Sequence, residues 1–222
     1  MQEIRIRFFK TGRAKYISHL DLVRFFGRAF KRAGIPLWYT EGFNPRPYMN
    51  FSMPLTLGAE GLNEAVDIRL IEDMDFDEII RRMREVMPED IGISSISEPK
   101  HKMTEIAESQ YLFEITPALE NAGEVYENLV KVMQMPELNI EKMGKKGRTK
   151  VLKTINIAEH KKAVSITPGD TISMRVTLPS TNQFGINPRI FIDRIVKELG
   201  LVDPSVRILR ENLYVSDGSV FI

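Results

Sequence analysis

The 222-residue sequence contains no cysteine, which excludes disulfides, iron–sulfur clusters, thiolate zinc sites and cysteine nucleophiles together. Histidine is nearly as scarce. His19, His101 and His160 lie far apart and none has a second histidine at ligand spacing, so no metal site is expected. No apolar run approaches the ~18–20 residues that cross a bilayer, and Met1-Gln2-Glu3-Ile4-Arg5 runs into a strand pattern instead of a signal peptide. A cytoplasmic protein without a membrane partner is therefore expected. Neither a dinucleotide glycine fingerprint nor a Walker spacing occurs, and no cofactor is expected.

Net charge is also nearly absent, at +1, but its distribution is uneven. Residues 1–50 hold ten Lys and Arg against three Asp and Glu, whereas residues 51–100 hold five against twelve. Such a basic region attracts phosphate polymers, and an acidic partner is the competing explanation.

What is present is an ordinary core-forming composition, 43% hydrophobic, in a chain long enough for two small domains. Ile4, Ile6 and Phe8 alternate with Arg5 and Arg7, the period-2 mark of a half-buried strand. Ser18 then caps a helix with Asp21 three residues on, and Leu20, Val23, Phe26, Phe30 and Ala33 recur at helical spacing. Asp21, Arg24, Arg28 and Arg32 form another stripe, and Gly34 and Pro36 end the helix. Strands fit near 49–57, 64–71 and 91–98, with a helix from Asp75 to Met87 between the last two. The order is βαββαβ, a ferredoxin-like unit.

Residues 99–108 lack periodicity and read as a linker. Beyond it come a strand near 109–116, a helix from about 121 to 133, strands near 138–142, 149–155, 162–166 and 171–178, a helix from Pro188 to Leu199 capped by Asn187, and a strand near 206–215. The expected class is α+β: two successive ferredoxin-like units, over residues 1–100 and 106–222, the second elaborated with extra strands.

Three segments carry candidate chemistry. Gly12 to Leu22 puts Arg13, Lys15, Tyr16 and His19 at the start of the first helix, where free backbone N–H groups favour an anion. Gly42-Phe43-Asn44-Pro45-Arg46-Pro47 joins an aromatic ring, an amide and a guanidinium on a proline-stiffened loop, which suits stacking and hydrogen bonding to an unpaired base. Lys142 to Lys150 resembles a basic hairpin tip, with Lys145, Lys146 and Arg148 as phosphate contacts. As plain structure, these segments are a helix cap, a turn and a solvated hairpin. The functional expectation is that the first two loops converge into one electropositive pocket.

The runs Lys10–Arg24, Arg32–Leu37, Glu41–Pro47 and Pro54–Glu60 resemble the radical-SAM-linked protein family, a bacterial domain of unknown function of the DUF2344 type. The resemblance implies association with a radical-SAM protein. Without a CxxxCxxC motif this chain looks like a stand-alone form that does not itself hold the cluster. Together with the clustered charge and the aromatic and amide groups on adjoining loops, the expected role is a non-catalytic RNA-binding or substrate-presenting protein serving such an enzyme, with Arg13, Lys15, His19, Arg24, Arg28, Phe43, Asn44 and Arg46 lining the site.

Two successive ferredoxin-like units with a histidine on the first helix are also similar to RAMP-type endoribonucleases. That likeness implies a metal-independent reaction in which His19 deprotonates a ribose 2′-hydroxyl while Tyr16, Lys15 or Arg46 steadies the phosphate. The short Asp217-Gly218-Ser219 turn does not match the glycine-rich loop of that class. A third expectation is an adaptor whose basic face docks an acidic protein.

Overall fold

A computed structural model describes residues 1–146 and 149–222, with side chains described outside 142–151. It is an α+β protein whose chain divides into two compact units, residues 1–107 with 210–222, and residues 108–209.

The first unit begins with β1 (Gln2–Lys10), a short 3-10 turn (Gly12–Tyr16) and α1 (His19–Arg32), followed by β2 (Met49–Phe51), β3 (Glu60–Leu70), α2 (Phe76–Arg84) and β4 (Ile91–Ser97). β1 lies between β4 and β3, and β2 pairs with the far side of β3, all antiparallel. The alternation of β1 sends Ile4, Ile6 and Phe8 into the helix-covered core with Phe26, Phe30, Val66, Ile68, Ile79 and Met83. Ser18 caps α1 by accepting from the Asp21 N–H at 3.2 Å while its hydroxyl donates to Asp21 Oδ2 at 2.7 Å.

The second unit takes β5 (Ile106–Thr116), α3 (Ala122–Gln134), the hairpin β6 (Asn139–Lys146) and β7 (Thr149–Asn156), β8 (Lys162–Thr167), β9 (Ile172–Pro179), α4 (Pro188–Glu198) and the start of β10 (Ser205–Val215). Its sheet order is β10-β5-β9-β8. Phe113, Leu129, Met174, Val176, Phe191 and Ile195 are fully buried there. Asn187 accepts from the Arg189 N–H at 2.9 Å, with Pro188 in the first turn.

Four local expectations change. The strand expected over 49–57 is only Met49–Phe51, because the segment after it turns through Pro54 and Gly58 before β3 starts at Glu60. The linker shortens, since β5 already starts at Ile106. In α1 the buried stripe is Leu22, Phe26, Ala29 and Phe30, whereas Leu20 is 66% exposed. Residues 210–222 belong with the first unit, where Arg210 bonds Glu64 and the Arg7 guanidinium donates to the Phe221 carbonyl.

Candidate nucleic-acid interface

Of the ten basic residues in the first fifty, β1 takes three into the protein. Arg5 is 0% exposed and holds Asp67 with both prongs, Nε to Oδ1 at 2.7 Å and Nη2 to Oδ2 at 2.8 Å. Arg7 is half-buried, and Lys10, 2% exposed, reaches the Ile17 carbonyl at 3.4 Å. Their side chains are internal.

The turn before α1 holds its own anion. Asp90 Oδ2 accepts from the Arg13 N–H at 3.0 Å, and Gly12, at φ +53°, lies so close that a Cβ there would sit 2.5 Å from Asp90 Oδ1. The chain's own carboxylate thus stands where the sequence placed a phosphate. Lys15 Nζ is 3.6 Å from Glu60 and 5.3 Å from the centre of the exposed Tyr16 ring.

His19 turns inward from the first turn of α1, edge-on to Phe51 with ring centres 5.6 Å apart. It lines a small cavity with Lys10, Ser52 and Glu64, of about 10 Å³, the room of one water-sized group. Burial first, and the Lys10 ammonium second, hold the His19 imidazolium below its ordinary pKa, with Glu64 opposing. Burial likewise lowers Lys10. Glu64 accepts from Arg210 Nε at 2.9 Å. Lys10 and Glu64 were not anticipated, although Lys10 has the inward parity of Ile4, Ile6 and Phe8.

Arg46 does not line the His19 cavity, so the expected single pocket is corrected into two places. The reason is the register. Phe51, beside His19, opposes Val66, whereas the Phe43–Arg46 loop springs from Trp38 and Tyr48 at the level of Arg69. Thr40 N–H donates to the Arg46 carbonyl at 2.9 Å, and Tyr48 N–H to the Trp38 carbonyl at 2.9 Å.

That loop leans on the middle of α1. A Cβ on Gly27 would sit 3.5 Å from Met49 Cε and 3.9 Å from Pro47 Cγ. Leu20, Arg24, Gly27 and Lys31 share this helix face at i, i+4, i+7 and i+11, with Arg28 next to it. Phe43 is 107% exposed at the loop tip, and Asn44 and Arg46 are exposed beside it. Arg24 pairs with Asp21 at 3.1 Å and Arg28 also acts on that carboxylate, but among the described residues no acid pairs with the Arg13 or Arg46 side chain. Arg24, Arg28, Phe43, Asn44 and Arg46 therefore lie on one side, and Arg13, Lys15 and His19 at one end. Arg148 lies outside the described residues, as do the side chains of Lys145 and Lys146.

Among the described residues no cluster of three His, Asp or Glu side chains could hold a metal ion, and no helix is long and apolar enough to cross a membrane.

Fold and site define an α+β protein with a basic helix face flanked by an aromatic loop. Over residues 3–188 the chain matches the family described as "Uncharacterized protein conserved in bacteria (DUF2344)", and it belongs to that family. No curated protein matches it. Among solved structures its fold is similar to a chain of the "Crystal Structure of a Cbf5-Nop10-Gar1 Complex", with a TM-score of 0.52 at 13% identity, covering 95% of this chain and 48% of that one. It thus spans about half the length of that neighbour, and the likeness concerns the fold alone.

Proposed function

We propose that this protein binds RNA through the α1 face and the Phe43–Arg46 loop, and serves as a non-catalytic accessory that presents it to a radical-SAM modification enzyme. One observation carries the reading: a fully exposed phenylalanine, Phe43, stands on a proline-bracketed loop beside an unpaired arginine, and the loop is seated against a helix face that carries Arg24. A water-facing phenylalanine gains from a base stacked on it, and the neighbouring guanidiniums meet the phosphates. Two prolines reduce the ordering cost of binding.

The radical-SAM partner rests on the motif resemblance; a chain without cysteine leaves the cluster to that partner. Both units read as ferredoxin-like. The first is βαββαβ with order β4-β1-β3-β2, and the second repeats the order as β10-β5-β9-β8, with the hairpin β6–β7 inserted after α3.

Filter-binding titrations against structured and unstructured RNA at several salt concentrations test the proposal. Binding that weakens with salt, and weakens further in Phe43→Ala and Arg46→Ala, is expected; absent or salt-independent binding overturns it.

A second reading, a metal-independent ribonuclease, draws support from His19. A histidine kept neutral by burial is competent as a general base. Cleavage in EDTA leaving a 2′,3′-cyclic phosphate, lost in His19→Ala, is its signature. Intact RNA after prolonged incubation rejects it.

A further inference from the structure

The Phe43–Arg46 loop leads directly into a second cavity, on the face of the first unit's sheet opposite its helices. Its volume is about 470 Å³, within the roughly 300–1,000 Å³ usual for small-ligand sites, and its lining includes Glu3, Tyr48, Asn50, Asp67, Lys100 and Lys102. We infer that this cavity takes one unpaired nucleotide of the bound RNA, its base against Asn50, Asp67 and Tyr48 and its phosphate near Lys100 and Lys102. The inference deepens the RNA-binding reading and rests on it.

The floor follows from strand register. Asn50 opposes Asp67, and Asp67 opposes Arg5, so the three side chains share one row of one face. A carboxamide beside a carboxylate offers a donor next to acceptors, the pattern that complements the edge of a nucleobase. Arg5 fixes the carboxylate from behind, and the Asp67 side chain is only 6% exposed. This is an aimed polar group at the bottom of a cavity, unlike a solvated surface acid.

Removing a charge pair from water costs more than an apolar pair of similar size, so a buried Arg–Asp pair in a sheet is not explained by stability alone. Nor is the pair a closed structural unit. Arg5 Nη1 is buried with no protein acceptor among the described residues, which leaves one donor of the pair outside the fork.

The wall and roof are preformed. The Tyr48 ring is braced by the Arg69 guanidinium at 4.2 Å and stands 6.2 Å from Trp38, while Arg69 is tied to Glu3 at 3.1 Å. The overhanging Pro99–Met103 segment is fastened by Lys100 and His101 N–H groups donating to the Ile222 carbonyl at 3.2 and 3.0 Å. Arg5 Nη2 donates to the His101 carbonyl at 2.7 Å from below.

Arg46 is two residues upstream of Tyr48, about 7 Å of extended chain, so the loop that carries Phe43 and the wall of the cavity belong to one short segment. A base already unpaired enters at least cost, which makes single-stranded loops or ends the substrate class.

Trp38 is the sole tryptophan, and it lies beside Tyr48, so its emission reports on the cavity. The intact chain is titrated with AMP, GMP, CMP and UMP, and with inorganic phosphate as control. The expected result is a saturable change with at least one nucleotide and none with phosphate. Asn50→Ala and Tyr48→Ala are expected to weaken it at least tenfold with an unchanged unfolding temperature, while Arg81→Ala, at a side chain engaged by Glu78 on α2, leaves it intact. Long RNA that binds while no mononucleotide does overturns the cavity assignment and spares the RNA reading. Mononucleotide binding without RNA binding does the reverse. An equal response to phosphate alone, or unchanged affinity in both variants, also overturns the assignment.

Discussion

Arg5 shows how an ionic side chain becomes structural. Strand parity puts it on the face away from the core, yet it is 0% exposed, pressed 4.1 Å under the Phe221 ring and forked onto Asp67. Truncating one member of such a pair leaves the other charge buried and unmatched. Arg5→Met is therefore expected to lower unfolding stability by about 3–5 kcal/mol, measured by chemical denaturation, although methionine fills much of the same space. A loss below about 1 kcal/mol would show that water reaches Asp67 and screens it. His19 supplies a pH dependence at the same scale. Burial and Lys10 make it bind a proton less readily in the native state than in the unfolded chain, where the value is roughly 6.5. Below that value the unfolded chain holds the extra proton, so stability falls as the pH drops from 7 through the window down to the native pKa, and is retained above it. His19→Gln is expected to flatten this acid limb in denaturation curves taken at a series of pH values. An NMR titration is expected to place the His19 imidazole below its ordinary value; a midpoint above it contradicts the burial assigned to this ring.

At the scale of elements, the proposed interface falls on α1 because one helix serves two neighbours. Leu22, Phe26 and Phe30 face the sheet, while Gly27 receives Pro47 and Met49. A glycine inside a helix costs roughly 0.5–1 kcal/mol relative to alanine, and a methyl at Gly27 meets its neighbours at ordinary van der Waals distance. Gly27→Ala is expected to stabilise the protein by about that amount in thermal melts and to leave RNA binding unchanged. Gly27→Leu instead has to displace the loop, and is expected to weaken RNA binding while the fold persists. Much of this element level was legible in the sequence. The alternation of Ile4, Ile6 and Phe8, the Ser18 and Asn187 caps and the helix over Pro188–Glu198 all follow from local periodicity and capping, which short stretches of chain encode. What local pattern does not encode is which strand opposes which residue. The pairing of Asn50 with Asp67, and the distance of the Arg46 loop from His19, depend on the register between β2 and β3. For that reason the row of Asn50, Asp67 and Arg5 is not legible in the sequence, and the Arg13 turn reads as an anion site although Asp90 reaches it from a segment 77 positions away.

For the whole molecule the relevant quantity is which cations remain free, since the net charge of +1 says little about attraction. Arg81 and Arg82 on α2 are engaged by Glu78, whose carboxyl those two guanidiniums hold down to about 2, so they present a neutralised surface. Arg46 has no such acid among the described residues, and Arg24 and Arg28 share only the exposed Asp21. RNA binding that releases counterions makes the logarithm of affinity fall linearly with the logarithm of salt, by roughly 0.7 per phosphate neutralised on a single strand. Replacing Arg24, Arg28 and Arg46 together by alanine is therefore expected to reduce that slope by about 2, and to do so equally for RNAs of different sequence, because phosphate contacts carry no base identity. Arg81→Ala with Arg82→Ala removes two positive charges from the same chain, and is expected to leave the slope unchanged. If the two multiple variants lower the slope alike, the protein attracts RNA as a diffuse cation and the α1 face has no privileged role. If only the first does, the interface lies where the loop meets the helix, and any remaining preference among RNA sequences must come from the groups that face a base.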